Sequence, residues 1–80
     1  MAIRLVFLGK LADLAGVAER EVPAPLDWTG LLKALEPALA VQVAGEKVRI
    51  ALNGGLFADK LSLNASDGDE IALLPPVSGG

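Results

Sequence analysis

The 80-residue sequence contains no cysteine and no histidine. Without cysteine there can be no disulfide framework and no thiolate nucleophile, and without either residue there is no zinc site of the Cys/His type. Ser–His and Cys–His catalytic arrangements are excluded for the same reason. If the protein takes part in chemistry, its reactive group must be a carboxylate, a lysine, a hydroxyl or a chain terminus.

Aromatic residues and basic charge are also scarce. Aromatic residues make up 4% of the chain, and seven basic side chains face ten acidic ones, which gives a formal charge of −3. Nucleic-acid binders need basic clusters and aromatic stacking platforms, so this composition argues against that class.

Long hydrophobic runs are absent as well. The longest apolar run near the start, residues 5–8, is far shorter than the roughly 20 residues of a membrane-spanning helix. No small-residue cleavage site of a signal peptide follows it. We therefore expect a cytoplasmic protein with no membrane segment.

What the chain does have is aliphatic bulk. Apolar residues account for 52% and charged residues for only 21%, a balance that argues against disorder. The length predicts one small domain, and its core must be built mainly from Leu, Ala and Val.

Hydrophobic periodicity predicts the main elements. Alternation indicates strands at residues 3–8, 19–22, 48–52 and 70–74, a short helix at 10–15 that ends at Gly16, and a partly irregular element at 56–63. The charged side chains of residues 19–22 favour an edge position. Turns are predicted at Asn53-Gly54-Gly55 and at Ser66-Asp67-Gly68-Asp69.

The main helix is predicted to start after Asp27, a good N-cap residue. One apolar stripe follows at helical spacing, made of Trp28, Leu31, Leu32, Leu35 and Leu39. Pro37 is expected to end the regular helix near Glu36.

This order of elements predicts an α+β fold with one main helix packed on one face of a mixed four- to five-stranded sheet. The commonest form of that layout at this length is the β-grasp, or ubiquitin-like, roll. We expect residues 1–74 to form the domain and residues 75–80 to form an extended C-terminal tail.

The interior of the chain offers only weak candidates for chemistry. Asp67, Asp69 and Glu70 cluster at a turn, but a metal site needs more oxygen ligands at regular spacing, so a solvated turn is the prediction and no metal site is expected. The four lysines, at positions 10, 33, 47 and 60, are scattered and are interpreted as ordinary surface charge.

The end of the sequence is more informative. It reads Pro75-Pro76-Val77-Ser78-Gly79-Gly80. The two prolines stop the strand and stiffen an extended exit. A Gly-Gly ending lacks Cβ atoms, so it could pass through a narrow channel and bring a carboxylate close to the site of another protein. In a chain without cysteine, any carried sulfur would have to sit at Gly80 as a thiocarboxylate.

The whole chain resembles the small, sulfur-carrier subunit of molybdopterin synthase. The most specific part is D-G-D-E-I-A-L-L-P-P-V-S-G-G at residues 67–80, which is similar to the closing pattern of that family. The opening strand, residues 11–16 and the Leu52-Asn53 pair also fit.

The resemblance implies a β-grasp fold and a carrier with no active site of its own. Gly80 would be adenylated by a ubiquitin-activating-like enzyme that uses ATP, and then converted to a thiocarboxylate. The tail, residues 75–80, would insert into the large catalytic subunit, with which the carrier forms a heterotetramer. There the sulfur would attack a cyclic pyranopterin monophosphate and build the dithiolene of molybdopterin. No permanently bound cofactor is implied.

The resemblance also implies an apolar patch that docks both partners, and it places this patch at Leu8, Leu56 and Leu74. The strand pattern independently places Leu8 and Leu74 on the outward face of the sheet, away from the helix.

Other functions remain open at this stage. The same fold serves sulfur carriers for thiamin thiazole synthesis or tRNA thiolation, which usually lack the Pro-Pro before Gly-Gly. It also serves ubiquitin-like modifiers, in which Gly80 would be linked to a target lysine. A binding module with an inert tail is a further alternative.

Overall fold

The structure is a computed structural model that describes residues 2–76; Met1 and residues 77–80 lie outside the described part. Its strands are β1 (Ala2–Phe7), β2 (Glu19–Pro23), β3 (Leu26–Asp27), β4 (Arg49–Leu52), β5 (Gly55–Phe57), β6 (Asn64–Ala65) and β7 (Glu70–Leu74). Its helices are α1 (Lys10–Ala15), α2 (Trp28–Lys33) and α3 (Pro37–Ala44), with a 3₁₀ turn at Lys60–Ser62.

Five strands form one mixed sheet in the order β2-β1-β7-β4-β5. The first and last strands of the sequence lie side by side and parallel, and the other pairings in this sheet are antiparallel. The central position of β7 and the edge position of β2 follow from their composition. β7 is apolar on both faces except at Glu70, whereas β2 carries three charged side chains.

The helices cover one face of the sheet. Side chains that point to this face from β1, β4 and β7 are fully or almost fully buried, and they pack against leucines and valines of α1, α2 and α3. The core members are Ile3, Leu5, Phe7, Leu11, Leu31, Leu39, Val43, Ile50, Ile71 and Leu73, among others. This is the α+β, β-grasp arrangement that the sequence predicts.

The prediction of one continuous apolar stripe from Trp28 to Leu39 is wrong in one respect. The stripe does face the core, with Trp28 and Leu32 half-buried and Leu35 and Leu39 buried, but it runs over two helices. A proline ring within a helix would clash with the carbonyl four residues earlier, so α2 stops at Lys33. Pro37 instead opens α3, at a position where its missing N–H costs nothing.

The predicted caps and turns are confirmed. Asp27 caps α2 by accepting a hydrogen bond from Gly30 N–H at 2.7 Å. Gly16 ends α1 in the left-handed conformation. Asn53 and Gly54 both have positive φ and form the two-residue turn between β4 and β5.

One pairing was not predicted. The short strands β3 and β6 pair with each other in a separate two-stranded sheet. Their two residues each are too few to show alternation. Within residues 2–76, no helix is long and apolar enough to cross a membrane.

Candidate partner-binding face and tail root

The tail of the sequence leaves the domain from the centre of the sheet. β7 is paired with β1 up to Leu73 and with β4 up to its last residue, Leu74. Pro75 is half-buried and Pro76 is exposed. Strand β7 thus ends at Leu74, and Pro75 begins the segment that follows it. The extended tail at residues 75–80 stays a prediction.

The loop between β1 and α1 supports this tail root. Leu8 N–H donates a hydrogen bond to the Leu73 carbonyl at 3.3 Å. Gly9 has φ 53° and ψ −130°, a conformation available almost only to glycine. A Cβ atom at Gly9 would lie 3.1 Å from Cγ of Pro75, so the loop and the tail root are in close contact.

The predicted tail residues divide at this point. Pro75 and Pro76 lie in the described part of the chain. Val77, Ser78, Gly79 and the reactive Gly80 lie outside it, and their roles stay predictions.

The face of the sheet opposite the helices carries the three predicted docking leucines. Leu8 is 41% exposed, Leu56 is 70% exposed and Leu74 is half-buried. Leu74 is on the central strand β7, Leu56 is on the edge strand β5, and Leu8 directly follows β1. The structure thus places all three on one face, which we call the open face, and whether a partner binds there stays a prediction.

Small apolar side chains connect these leucines. The strand register aligns Val6 with Ala72, Ala72 with Ala51, and Ala51 with Leu56, so a row of apolar residues crosses four strands. The side chains of Val6, Ala51 and Ala72 are half-buried. The sequence analysis did not predict this row. The strand alternation could have indicated it, because each residue of the row points outward and is next in sequence to a residue that points into the core.

Charged side chains lie at both ends of the open face. Arg4 lies between Glu19 and Glu70, at 3.7 Å and 3.9 Å, with all three side chains about half exposed. Contacts of this length on exposed side chains contribute little to stability. Arg49 lies at the other end, where it is the cross-strand neighbour of Leu74.

The acidic cluster at the turn before β7 is structural. Asp69 accepts hydrogen bonds from Ser66 N–H at 2.8 Å and from Asn53 Nδ2 at 3.0 Å. These bonds hold the pKa of the Asp69 carboxyl below its usual value. Asp67 accepts from Ala2 N–H at 2.9 Å. Among residues 2–76 there is no group of three acidic residues arranged to hold a metal ion.

Lys60 differs from its prediction as ordinary surface charge. Its Nζ donates to the carbonyls of Val43, Gly45 and Val48 at 2.6–2.9 Å, and it lies 5.5 Å from the centre of the Trp28 ring. All three ammonium N–H groups are therefore in use. Burial, together with the positive charge of Arg49, lowers the pKa of Lys60. No local sequence signal marks Lys60, because its acceptors are 12 to 17 residues away.

The fold is that of the ubiquitin-like β-grasp proteins. Its features are a mixed sheet whose first and last strands are parallel neighbours, helices on one face, and a central last strand followed by a segment that contains Gly79-Gly80. The sequence model of the ThiS family matches residues 5–80. The chain belongs to the ThiS family.

Solved structures agree with this assignment. The chain is similar to small archaeal modifier protein 1 (SAMP1) of Haloferax volcanii, with 30% identity over 100% of both chains and a TM-score of 0.76. It is 25% identical to a putative molybdopterin converting factor, subunit 1, of Pyrococcus furiosus, which aligns with 96% of this chain and 99% of that one at a TM-score of 0.76.

A third similar structure is a complex. In the complex of subunits 1 and 2 of the molybdopterin-converting factor of Helicobacter pylori, the matched chain is 31% identical over 100% of both chains, with a TM-score of 0.68. The fold is therefore that of ThiS-like sulfur carriers and ubiquitin-like modifiers.

Proposed function

We propose that this chain is the sulfur-carrier subunit of a molybdopterin synthase and that Gly80 holds the sulfur. Three observations support the proposal: membership of the ThiS family, similarity to molybdopterin converting factor subunit 1, and the D-G-D-E to P-P-V-S-G-G ending. The lack of Cys and His agrees with a carrier whose acid–base groups are supplied by partners.

The chemistry begins with an inert carboxylate. In the proposed cycle, an oxygen of the Gly80 carboxylate attacks the α-phosphorus of ATP on an activating enzyme, which releases pyrophosphate and leaves an acyl adenylate. A sulfur donor then displaces AMP, so a C–S bond replaces the C–O bond and a thiocarboxylate forms. On the large catalytic subunit this sulfur is the nucleophile that attacks a carbon of the cyclic pyranopterin monophosphate. Water then cleaves the C–S bond to Gly80, which restores the carboxylate and leaves the sulfur on the pterin.

The observation that carries the proposal is the anchoring of the tail root. β7 is hydrogen-bonded on both sides, and Pro75 contacts the Gly9 loop. Residues 77–80 can reach no more than about 14 Å beyond Pro76. A segment this short keeps the end group within that distance of an anchored root, and therefore near whatever surface binds the open face; such positioning is the main contribution a carrier makes to the reaction.

The open face is the proposed docking surface, through Leu8, Leu56 and Leu74. Exposed apolar patches of this kind mark protein interfaces. The proposed partners are the large catalytic subunit, in a heterotetramer, and the ubiquitin-activating-like enzyme. Both need access to Gly80 and would therefore use the same face in turn.

Intact-mass spectrometry tests the carrier step. After incubation with ATP, the activating enzyme and a sulfur donor, we expect the mass to rise by the difference between sulfur and oxygen. A variant with one residue added after Gly80 is the control; it is expected to fold normally and to show no rise. No rise in the wild type with an enzyme that is active on another carrier would contradict the proposal.

A second candidate function is protein modification, because the chain matches SAMP1, named as a modifier, over its full length. In that case Gly80 would form an isopeptide bond with a lysine of a target protein. Sulfur delivery to thiazole synthesis or tRNA thiolation is also compatible with the ThiS family. Supplying the thiocarboxylate form to the purified large subunit, to a thiazole synthase and to a tRNA thiolation system separates these functions: molybdopterin formation is the expected result.

A further inference from the structure

Arg49 is an unusual charge on the open face. It is the first residue of β4, it is exposed, and it lies across from Leu74 in the strand register. The other two arginines have acidic partners: Arg4 lies near Glu19 and Glu70, and Arg20 binds Glu36. Within residues 2–76, Arg49 has no ion pair, so its guanidinium donors are available to another molecule.

A groove of about 210 Å³ adjoins Arg49 at the edge of the sheet. Its apolar part includes Leu56 and Phe57 of the edge strand β5, and its charged part includes Arg49, Lys60 and Glu46. The Lys60 ammonium is fully occupied by three backbone carbonyls, so it adds positive charge without offering a hydrogen bond. Arg49 is thus the one basic group of this groove with donors to offer.

The groove is positive although the whole chain is negative. Arg49 and Lys60 are close enough for the charge of Arg49 to lower the pKa of Lys60, and one carboxylate, Glu46, opposes the two cations. The chain as a whole has a net charge of −3. A carboxylate that approaches here meets local attraction, and a guanidinium binds a carboxylate through two parallel hydrogen bonds.

We propose that Arg49 recognises an aspartate or glutamate of the protein that docks on the open face, while an apolar side chain next to that carboxylate packs on Leu56. The flanking leucines favour a folded protein surface over a free anion, because a small anion would leave the apolar part of the groove uncovered. Arginine beside apolar anchors is typical of the energetically dominant part of an interface.

The identity of the partner rests on the proposed function, so the test uses the large catalytic subunit. Association and dissociation rates are measured for the wild type, Arg49→Gln and Arg49→Glu at low and high salt. We expect Arg49→Glu to weaken binding by about tenfold or more at low salt, with most of the difference lost at high salt because the ion pair is screened. Arg49 is exposed, so thermal melting is expected to match the wild type.

Lys33→Glu is the matched control. It makes the same change in net charge at an exposed position on α2, on the opposite side of the sheet. We expect it to change binding by less than about twofold. Equal losses in Arg49→Glu and Lys33→Glu would overturn the proposal, because only net charge would then matter.

A zero-length cross-link locates the carboxylate. Arg49→Lys places an amine at this position, and a water-soluble carbodiimide joins an amine to a contacting carboxylate with loss of water. We expect a cross-linked peptide that contains position 49 and an Asp or Glu of the large subunit, and we expect none from Lys33 of the same protein.

The outcomes separate this inference from the proposed function. If the wild type binds the large subunit and Arg49→Glu binds equally well, the inference is overturned and the proposed function stands. If the wild type binds neither the large subunit nor the activating enzyme, both the proposed function and the inference about Arg49 are overturned. If Arg49→Glu alters only self-association, measured by light scattering, the open face binds a second copy and the inference is overturned.

Discussion

The Arg20 guanidinium binds the Glu36 carboxylate through two hydrogen bonds, Nη1 to Oε1 at 3.1 Å and Nη2 to Oε2 at 2.9 Å. The same guanidinium donates to the Ala34 carbonyl at 3.1 Å and lies 5.4 Å from the centre of the Phe7 ring. One side chain on the edge strand β2 therefore holds the break between α2 and α3 against the sheet.

Replacing Arg20 is expected to destabilise the fold. Arg20→Gln removes the two-point contact with Glu36 and leaves the Ala34 carbonyl without this donor, which we expect to cost about 1–2 kcal/mol in the free energy of unfolding. Arg4→Gln is the control, because its ion pairs are longer and more exposed, and it is expected to cost less than about 0.5 kcal/mol. Urea denaturation measures both; equal losses would contradict the role given to Arg20.

The turn before β7 is expected to make stability depend on acid pH. The ordinary pKa of an aspartate is 3.8, and in the folded state the hydrogen bonds from Ser66 and Asn53 hold the pKa of Asp69 below that value. The contribution of these hydrogen bonds to the free energy of unfolding is therefore complete above pH 3.8. It is lost as the pH falls through the lower pKa of the folded state. We expect Asp69→Asn to melt at a lower temperature than the wild type at pH 6, and we expect this difference in melting temperature to become smaller below pH 3.8. Thermal melting at several pH values measures this difference, and a difference that stays constant with pH would contradict the prediction.

Gly9 and Gly16 provide a matched pair for the tail root. Both have positive φ, so alanine is strained at either position. The cost is about 1–2 kcal/mol at Gly16, which is in the left-handed region, and up to about 3 kcal/mol at Gly9, whose φ and ψ almost only glycine adopts. Only at Gly9 does the new Cβ also meet Pro75, at 3.1 Å, whereas nothing lies within 4 Å at Gly16. We expect Gly9→Ala, and not Gly16→Ala, to reduce sulfur transfer well below what its loss of stability explains. Single-turnover transfer assays at a temperature where both variants are folded make the comparison; similar rates would show that the tail root tolerates displacement.

Leu56 and Leu61 provide a matched pair for the docking face. They are 70% and 75% exposed, and only Leu56 lies on the open face, since Leu61 is in the 3₁₀ turn. Leu56→Ala is expected to weaken binding of the large subunit by about tenfold, because an anchor in the centre of an interface contributes more than 1 kcal/mol. Leu61→Ala is expected to bind normally, and both variants are expected to melt near the wild-type temperature. Titration calorimetry gives the affinities, and an effect of Leu61→Ala as large as that of Leu56→Ala would place the interface elsewhere.

Local sequence patterns were sufficient for the longer strands β1, β2, β4 and β7 and for the turns and caps, but not for the short strands β3, β5 and β6. The alternation in residues 70–74 needs only neighbouring residues, and so do the Asn53-Gly54 turn and the Asp27 cap. The break at Pro37 was within reach too, because proline is common at the first position of a helix. The apolar stripe from Trp28 to Leu39 gave no sign of the break between α2 and α3, because its residues keep a helical spacing across the break.

The side chains that join distant segments were not predictable in this way. The sequence predicts ordinary surface charge at Lys60, yet its ammonium donates to three carbonyls at the end of α3 and in the loop that follows. Arg20 marked β2 as an edge strand, but its contact with Glu36 depends on how α2 and α3 end. Such contacts require the chain to be folded before the partners are neighbours.

The sequence alone determined that this chain has no thiol and no imidazole, because composition decides that. The proposal of Gly80 as the carrier residue likewise rests on the order of residues 67–80. The sequence also determined the class of fold, since periodicity reports which faces are apolar. Only the tertiary structure decided that Leu56 lies on the same face as Leu8 and Leu74, that Gly9 supports the tail root, and that Arg49 has no acidic partner in the described chain. Those relationships come from strand register and packing, which bring together residues that are far apart in sequence.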